Sequence, residues 1–539
     1  MRRKFGISPN ENTMMTAAGS VLSDSRRYHS LLFLVLLSAA ILRIYEFRGF
    51  GAVDDAAYAQ IAHKVSEGSF AAGSYKGPAV FPLRMGIIYP TALLFRFAGV
   101  SEWSMVFFPF LISLLSVLLA YICANYFFGR RAALIAAAIW AFLPLDTFHA
   151  TILSPDLPAA FFGSFAVVVI LHLVDSHIHN KLLLFSGGIA AGVSFGLSWL
   201  CKESVAYMVP FCAFLVVTTL NKNRNRNSPI WSGVVVGSIS VLSVEMFVYY
   251  KATGNWLFHF KETERNYIQY KNAFFVEGAK FTGPGAGGHF KAILRRLLLD
   301  GPLTIFTNIQ LLCLPFIAAI ISLHALYLRN KSFLVPCIWF ATLVLMFNFS
   351  SSSLNAYAPI VLFDRYLYPV MLPAVVITAG FFDNLYFHGK EESDGIARKE
   401  KVFWGTLILA FLVLLCVYKN ISNRKWSPGW VSEVKTVSRL LHPSDKLYTD
   451  ILSIHGLEFF WNYPGEMNTE NFEDMGPSAT IPAGSYVLIN KRYLDWLTDK
   501  AGWWPTQSDG YRKPAFHNRI PSSWKKIWGN GNADLYHVV

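Results

Sequence analysis

Apolar residues recur along the chain in runs of about 17 to 25 positions separated by short charged loops, the length a helix needs to cross roughly 30 Å of hydrocarbon. The pattern predicts about eleven spans, at residues 31–46, 104–128, 132–148, 155–174, 182–200, 204–220, 229–250, 302–328, 332–349, 365–386 and 402–418. A single soluble core would not need such spacing. Residues 86–98 (GIIYPTALLFRFA) stand apart, because the run is short, contains Pro90 and ends with Arg96. Counting it as a span would reverse every later loop. Read as an interfacial helix, it places Arg130, Arg131, Lys181, Lys222, Arg224, Arg226, Arg329, Lys331, Lys390, Arg398, Lys399 and Lys401 on the side of the basic N-terminus. The positive-inside rule then predicts a cytoplasmic N-terminus and an outer C-terminus.

After Tyr418 the pattern turns mixed and soluble. It predicts a helix over 430–441, a strand KLYTD (446–450), a helix near 452–461, a strand SYVLIN (485–490) and a terminal hairpin turning at Asn530 and Gly531. The expected architecture is a polytopic α-helical membrane protein with a C-terminal extracytoplasmic α/β domain. It comprises a cytoplasmic segment 1–29, a transmembrane domain 30–418 with long outer loops at 47–103 and 251–301, and a soluble domain 419–539.

Composition agrees: 54% of residues are hydrophobic and 15% charged, against roughly 25% charged in soluble domains, and the mean hydropathy is +0.38. The net charge of +13 is spread over short loops and forms no single basic face, so it reads as topological and gives no reason to expect a nucleic-acid partner. The six cysteines lie in or beside apolar segments without metal-type spacing, which predicts neither a disulfide framework nor a zinc site. Arg2, Arg3, Lys4, Arg26 and Arg27 before Leu31 resemble a signal-peptide start. The run, however, continues into Arg43 and Glu46 without a small-residue cleavage site, so it is expected to remain as the first span. The expected location is a multi-pass membrane protein, in the plasma (inner) membrane if the source is prokaryotic.

The candidate chemistry falls on the predicted outer face. Asp54 and Asp55 are adjacent carboxylates at a membrane surface, where repulsion and desolvation favour pairing with a cation or use as a base. Capping of the helix that follows is the plainer alternative. Asp156 stands in HATILSPDLPAAFF, which is also ordinary turn and helix-start chemistry. Lys202, Glu203, Arg365 and Tyr366 sit at the ends of apolar helices, where Lys202 or Arg365 could simply snorkel.

Four stretches taken in order resemble the C-type superfamily of polyprenyl-phosphate-sugar-dependent glycosyltransferases, in particular the branch with protein O-mannosyltransferases and the lipid A aminoarabinose transferase. They are DDAAYAQIA (54–62), LSPDLPAAFF (153–162), GLSWLCKES (196–204) and DRYLYPVMLP (364–373). The resemblance implies a catalytic carboxylate at Asp54, with Asp55 beside it where relatives often carry Glu, and a second acidic organiser at Asp156. It also implies carrier-phosphate partners at Lys202, Arg365 and, less directly, Arg84 in FPLRMG. Cys201 and Glu203 depart from the family's Thr-Lys-Gly-like stretch. Tyr58, His149, Glu203, Glu264 (within WLFHFKETERNYIQY, 256–270) and Tyr366 are the remaining candidates for substrate contacts. The glycine-rich GPGAGG (283–288) lacks a Walker pattern and reads as a flexible turn.

The implied reaction moves a sugar from an undecaprenyl or dolichyl phosphate to a protein, lipid or glycan acceptor, inverting the anomeric centre. The departing phosphate needs cations, and the acceptor needs a carboxylate to orient or take its proton. No cofactor is demanded, and a divalent metal stays open because such carboxylates serve as bases or as ligands. A lipid or solute transporter is the rival reading, with Glu245 its best residue. The one-sided clustering of carboxylates and the lack of an inverted repeat stand against it. A scaffold without activity is disfavoured by Asp54, Asp156 and Lys202.

Overall fold

The structure, a computed structural model, describes residues 11–51, 53–74, 80–266, 294–351, 360, 362–385, 395–424, 429–475, 480–491 and 520–539. Arg2, Arg3, Lys4, Lys390 and the GPGAGG run lie outside the described residues, as does the end of the 256–270 loop.

Among the described residues, 8 helices are long and apolar enough to cross a membrane. One of these units, Glu203–Thr253, contains a break: Asn223 leaves helical geometry (φ −161°, ψ 86°), and two helices meet there. Polar chemistry in the inter-helix loops explains such breaks. Asn223 Oδ1 accepts from the Arg226 backbone at 3.2 Å, and the Arg226 guanidinium donates to the carbonyls of Leu173 (3.0 Å) and Val174 (2.5 Å) at the end of a neighbouring helix.

Two predicted spans are not single helices. Residues 132–148 divide into Arg130–Ala141 and Pro144–His149, and residues 302–328 into Gly301–Phe306 and Leu314–Tyr327. In each, a proline stands in the first turn of the second helix, where its missing N–H is harmless. At the second break Leu312 and Cys313 take left-handed φ values of 54° and 51°. Residues 86–98 form a 14-residue helix, Met85–Ala98, shorter than the 8 helices long enough to cross a membrane.

Two features lock the bundle. The Lys181–Cys201 helix crosses the second half of Val209–Thr253 through reciprocal glycines four residues apart. A Cβ on Gly188 or Gly192 would meet the carbonyls of Ile230 or Val234, and one on Gly233 or Gly237 the carbonyls of Phe185 or Ile189. Small residues at this spacing let helix backbones touch where lipid supplies no hydrophobic drive. The second lock is ionic. Arg43, fully buried near the end of the first helix, faces Asp146 Oδ2 at 2.5 Å and donates to the carbonyls of Ala39 and Ala141 at 2.9 Å each, with Ser113 bonded to both charged partners.

The C-terminal part holds the helices Gly429–Leu440 and Ile451–Phe460 and a five-stranded sheet. The strands are β1 (Leu447–Thr449), β2 (Thr469–Asn471), β3 (Tyr486–Asn490), β4 (Trp524–Gly529) and β5 (Ala533–Val538), in the order β2-β1-β3-β5-β4. β1 runs parallel to β2 and β3, and the remaining pairs are antiparallel. The hairpin turns at Asn530 and Gly531 as expected; Gly531 has φ +86°, and Asn530 Oδ1 accepts from the Asn532 and Ala533 backbones at 3.1 and 3.2 Å. The short polar strand β2 has no counterpart in the sequence reading.

This sheet unit sits on the Val53–Ser66 helix. Phe50 stacks on Phe459 (ring centroids 4.7 Å apart), His63 stacks on Tyr463 (4.6 Å), Gln60 donates to Glu458 (3.2 Å), and Lys435 pairs with Glu102. Phe50, Phe459 and Val431 share one apolar cluster with the Met85–Ala98 helix.

Candidate active site

Four helix ends meet beneath this cover. Asp54 and Asp55 stand in the first turn of Val53–Ser66, where carboxylates favour the helix dipole. Asp156 opens Asp156–Asp175 after Pro155. Lys202 occupies the extended break (φ −163°, ψ 140°) between Lys181–Cys201 and the Glu203–Met208 turn. Arg365 and Tyr366 belong to the Asp364–Leu367 turn that leads into Tyr368–Asp383.

Their side chains form one ionic chain. Arg365 Nη2 donates to Asp54 Oδ2 at 2.7 Å, and Arg365 Nε lies 3.5 Å from Asp156 Oδ2. Asp156 Oδ1 accepts from the Lys202 ammonium, and Ser154 donates to Oδ2 at 3.0 Å. The Lys202 ammonium also stands 3.4 Å from the centroid of the Tyr366 ring. The chain is layered by depth: the Asp156 and Lys202 side chains are only 4% and 10% exposed, those of Arg365 and Asp54 29% and 34%. An inner pair is thus fixed, and an outer pair faces the open side.

The adjacent aspartates part ways. Asp55 is buried, and its carboxylate accepts from the backbone N–H of Gly51 (2.8 Å) and Ala56 (3.1 Å), which holds the entry of the helix. Asp54 alone of the pair faces Arg365. The alternatives left open by the sequence are thereby divided between two residues, backbone anchoring for one and a cation for the other.

Arg84 also pairs with a carboxylate. Its guanidinium is buried and faces Glu203 Oε2 at 2.5 Å. The departure at Glu203 explains this: a carboxylate next to Lys202 draws in the nearest cation. Glu203 also meets His259 Nε2 at 3.2 Å and the Thr263 hydroxyl at 3.1 Å, while His259 Nδ1 lies 2.6 Å from Glu245 Oε1. Burial alone would lower the His259 pKa, but the hydrogen bonds to the two carboxylates outweigh it and push it up to about 9.

Tyr58 is buried against Phe81 with ring centroids 5.0 Å apart, and burial pushes its hydroxyl pKa up against the opposing Arg84 charge. His149 lies near Tyr368 (6.1 Å between centroids); desolvation and the Arg365 charge push its pKa down to about 3, so its ring is neutral at pH 7. Glu264, half-buried, follows Thr263 on the 258–266 helix. Sequence reasoning missed His259, whose only signal was a histidine among the aromatics of WLFHF, 14 positions after the intramembrane Glu245.

The family model described as dolichyl-phosphate-mannose-protein mannosyltransferase matches residues 85–247. The oligosaccharyltransferase of Archaeoglobus fulgidus in its apo form superposes with a TM-score of 0.54 at 13% identity, covering 88% of this chain and 71% of that one. The same protein in complex with Zn and sulfate gives 0.54 at 14% identity, covering 94% and 73%. ArnT from Cupriavidus metallidurans bound to undecaprenyl phosphate gives 0.48 at 15% identity, covering 97% and 98%. No curated protein sequence matches the chain. The family match and the fold shared with the archaeal enzyme bear out the resemblance to the C-type membrane glycosyltransferases.

Proposed function

We propose that the chain transfers a sugar from a polyprenyl phosphate to a protein, lipid or glycan acceptor, with inversion, at the outer membrane face. One observation carries the reading: Asp54 and Asp156, from helices distant in sequence, are bridged by Arg365 beside Lys202 at one end of an apolar bundle. Two cations matched to the polyprenyl phosphate monoester that departs when the donor's phosphodiester is cleaved, with a carboxylate at their solvent side, are what single displacement on a lipid-linked sugar requires.

In this reading Lys202 and Arg365 grip the carrier phosphate. Arg365 is occupied by Asp54 until the phosphate arrives, and its arrival frees the Asp54 carboxylate to orient the acceptor and take its proton. Asp156 keeps Lys202 and Arg365 in register, and Tyr366 walls the ammonium. The mannosyltransferase family match supports a lipid-phosphate donor. The archaeal neighbour was solved with Zn. Here Asp54 and Asp156 already face cations, and among the described residues no group of three or more His, Cys, Asp or Glu is arranged to hold a metal, so no step is routed through one. About eleven spans, counting the helix after Asn223 and the two short helices Arg130–Ala141 and Leu314–Tyr327, would leave the N-terminus cytoplasmic and the sheet unit extracytoplasmic.

The test supplies purified protein in vesicles with a panel of polyprenyl-phosphate sugars and impermeant acceptors, scoring glycosylated product, the side on which it forms, and carrier movement. Transfer confined to the side of the sheet unit is expected. Carrier movement without transfer would replace the enzyme with a transporter.

A further inference from the structure

A second polar cluster stands directly behind the ionic chain and is joined to it by one peptide bond. Lys202 is extended and Glu203 opens the turn that follows, and the two side chains reach different partners. Lys202 reaches Asp156; Glu203 reaches Arg84, His259 and Thr263. On its far side His259 faces Glu245, and its ring stacks on Trp199 with centroids 4.9 Å apart. The Trp199 indole donates to Glu245 Oε2 at 3.1 Å.

Both ring nitrogens of His259 therefore face carboxylate oxygens. An ionised carboxylate only accepts, so only the imidazolium satisfies both contacts. With that charge the cluster balances, two carboxylates against Arg84 and His259. The segments it ties together are separate in sequence: the stretch before Met85–Ala98, the turn at Glu203, the helix that bears Glu245, and the 258–266 helix that follows Gly254.

We propose that His259 is a positioning residue for the carrier phosphate: clamped between Glu203 and Glu245, it fixes the turn that carries Lys202 and so sets the place of the Lys202 ammonium. The inference rests on the reading of Lys202 as a phosphate partner. A neutral side chain at 259 leaves two buried carboxylates facing each other across one donor, and Glu203 relaxes by shifting the peptide that it shares with Lys202. Substrate loses a cation from its proper place, while the Asp54 carboxylate stays where it was.

The experiment measures donor KM, kcat and retention of undecaprenyl phosphate for the purified protein in nanodiscs, comparing wild type with His259→Gln, His259→Arg and Glu245→Gln. His259→Gln is expected to raise donor KM about ten-fold with a smaller fall in kcat, the mark of weakened donor placement. His259→Arg, which restores a cation with donors on two sides, is expected to recover most of that loss. Glu245→Gln, which changes only the far side of the clamp, is expected to give a milder rise and serves if His259→Gln fails to fold. A donor KM unchanged in the folded variants, or a loss that Arg does not relieve, would overturn the inference while the functional reading survives. Wild-type protein that neither retains the carrier nor transfers its sugar would overturn both.

Discussion

The cation–carboxylate clusters at Arg43 and at Arg365 differ in how completely they are enclosed. Around Arg43 and Asp146 both side chains are 0% exposed, and the guanidinium is bonded to a carboxylate, a hydroxyl and two carbonyls. Around Asp54 and Arg365 the side chains are 34% and 29% exposed, and the Arg365 Nε position, with its 3.5 Å reach to Asp156, makes no hydrogen bond to protein. The first cluster uses its donors to fasten three other helices to the one that bears Arg43. The second keeps one pair deep and leaves the other where an anion could exchange with Asp54. Composition is nearly the same in both, so burial and saturation of donors are what separate a lock from a site.

The sharpest way to break this contrast is Asp54→Asn. Loss of a general base slows reactions by about 10² to 10⁴, and we expect a fall in transfer of that order with carrier retention undiminished, because the substitution removes a competitor for Arg365. Retained transfer in the folded variant would return Asp54 to a merely local role. Next comes Arg43→Met, which strands a buried carboxylate. We expect about 3 to 5 kcal/mol of lost stability, read by thermal unfolding, with transfer per folded molecule preserved. If transfer falls and stability does not, the two clusters have been assigned the wrong way round. Arg365→Lys keeps the charge and loses the planar fork, and about ten-fold slower transfer is expected. Smallest is Asp55→Asn, expected to lower stability by about 1 kcal/mol through its backbone contacts while transfer persists, which a paired melting and transfer assay would show.

Much of this was legible in the chain. Hydrophobic run length, the short Met85–Ala98 helix and the Asn-Gly hairpin follow from local rules, and the four ordered stretches brought forward Asp54, Asp156, Lys202 and Arg365, which the structure brings together. What escaped was chiefly tertiary. Arg43 read as the tail of a span because its partner Asp146 is distant in sequence and sits inside another predicted span. The Arg84–Glu203 pair went unread because nothing local reveals that these two side chains meet. The two broken helices had their signals in Pro144 and Pro315, outweighed by continuous apolar patterning. The glycines at 188, 192, 233 and 237 are spaced for close helix contact, but spacing alone does not say which helices meet.

The stacking of Phe50 on Phe459 and of His63 on Tyr463 also sets an order in time. Synthesis and insertion run from the N-terminus, so the helix that bears Asp54 reaches the membrane surface early and waits, with Phe50 uncovered, for the Ile451–Phe460 helix to be made. An interrupted chain would display that aromatic face to chaperones and proteases, whereas a completed one conceals it. Closure of this contact therefore depends on residues made late in synthesis, and it falls on the helix on which the proposed chemistry depends.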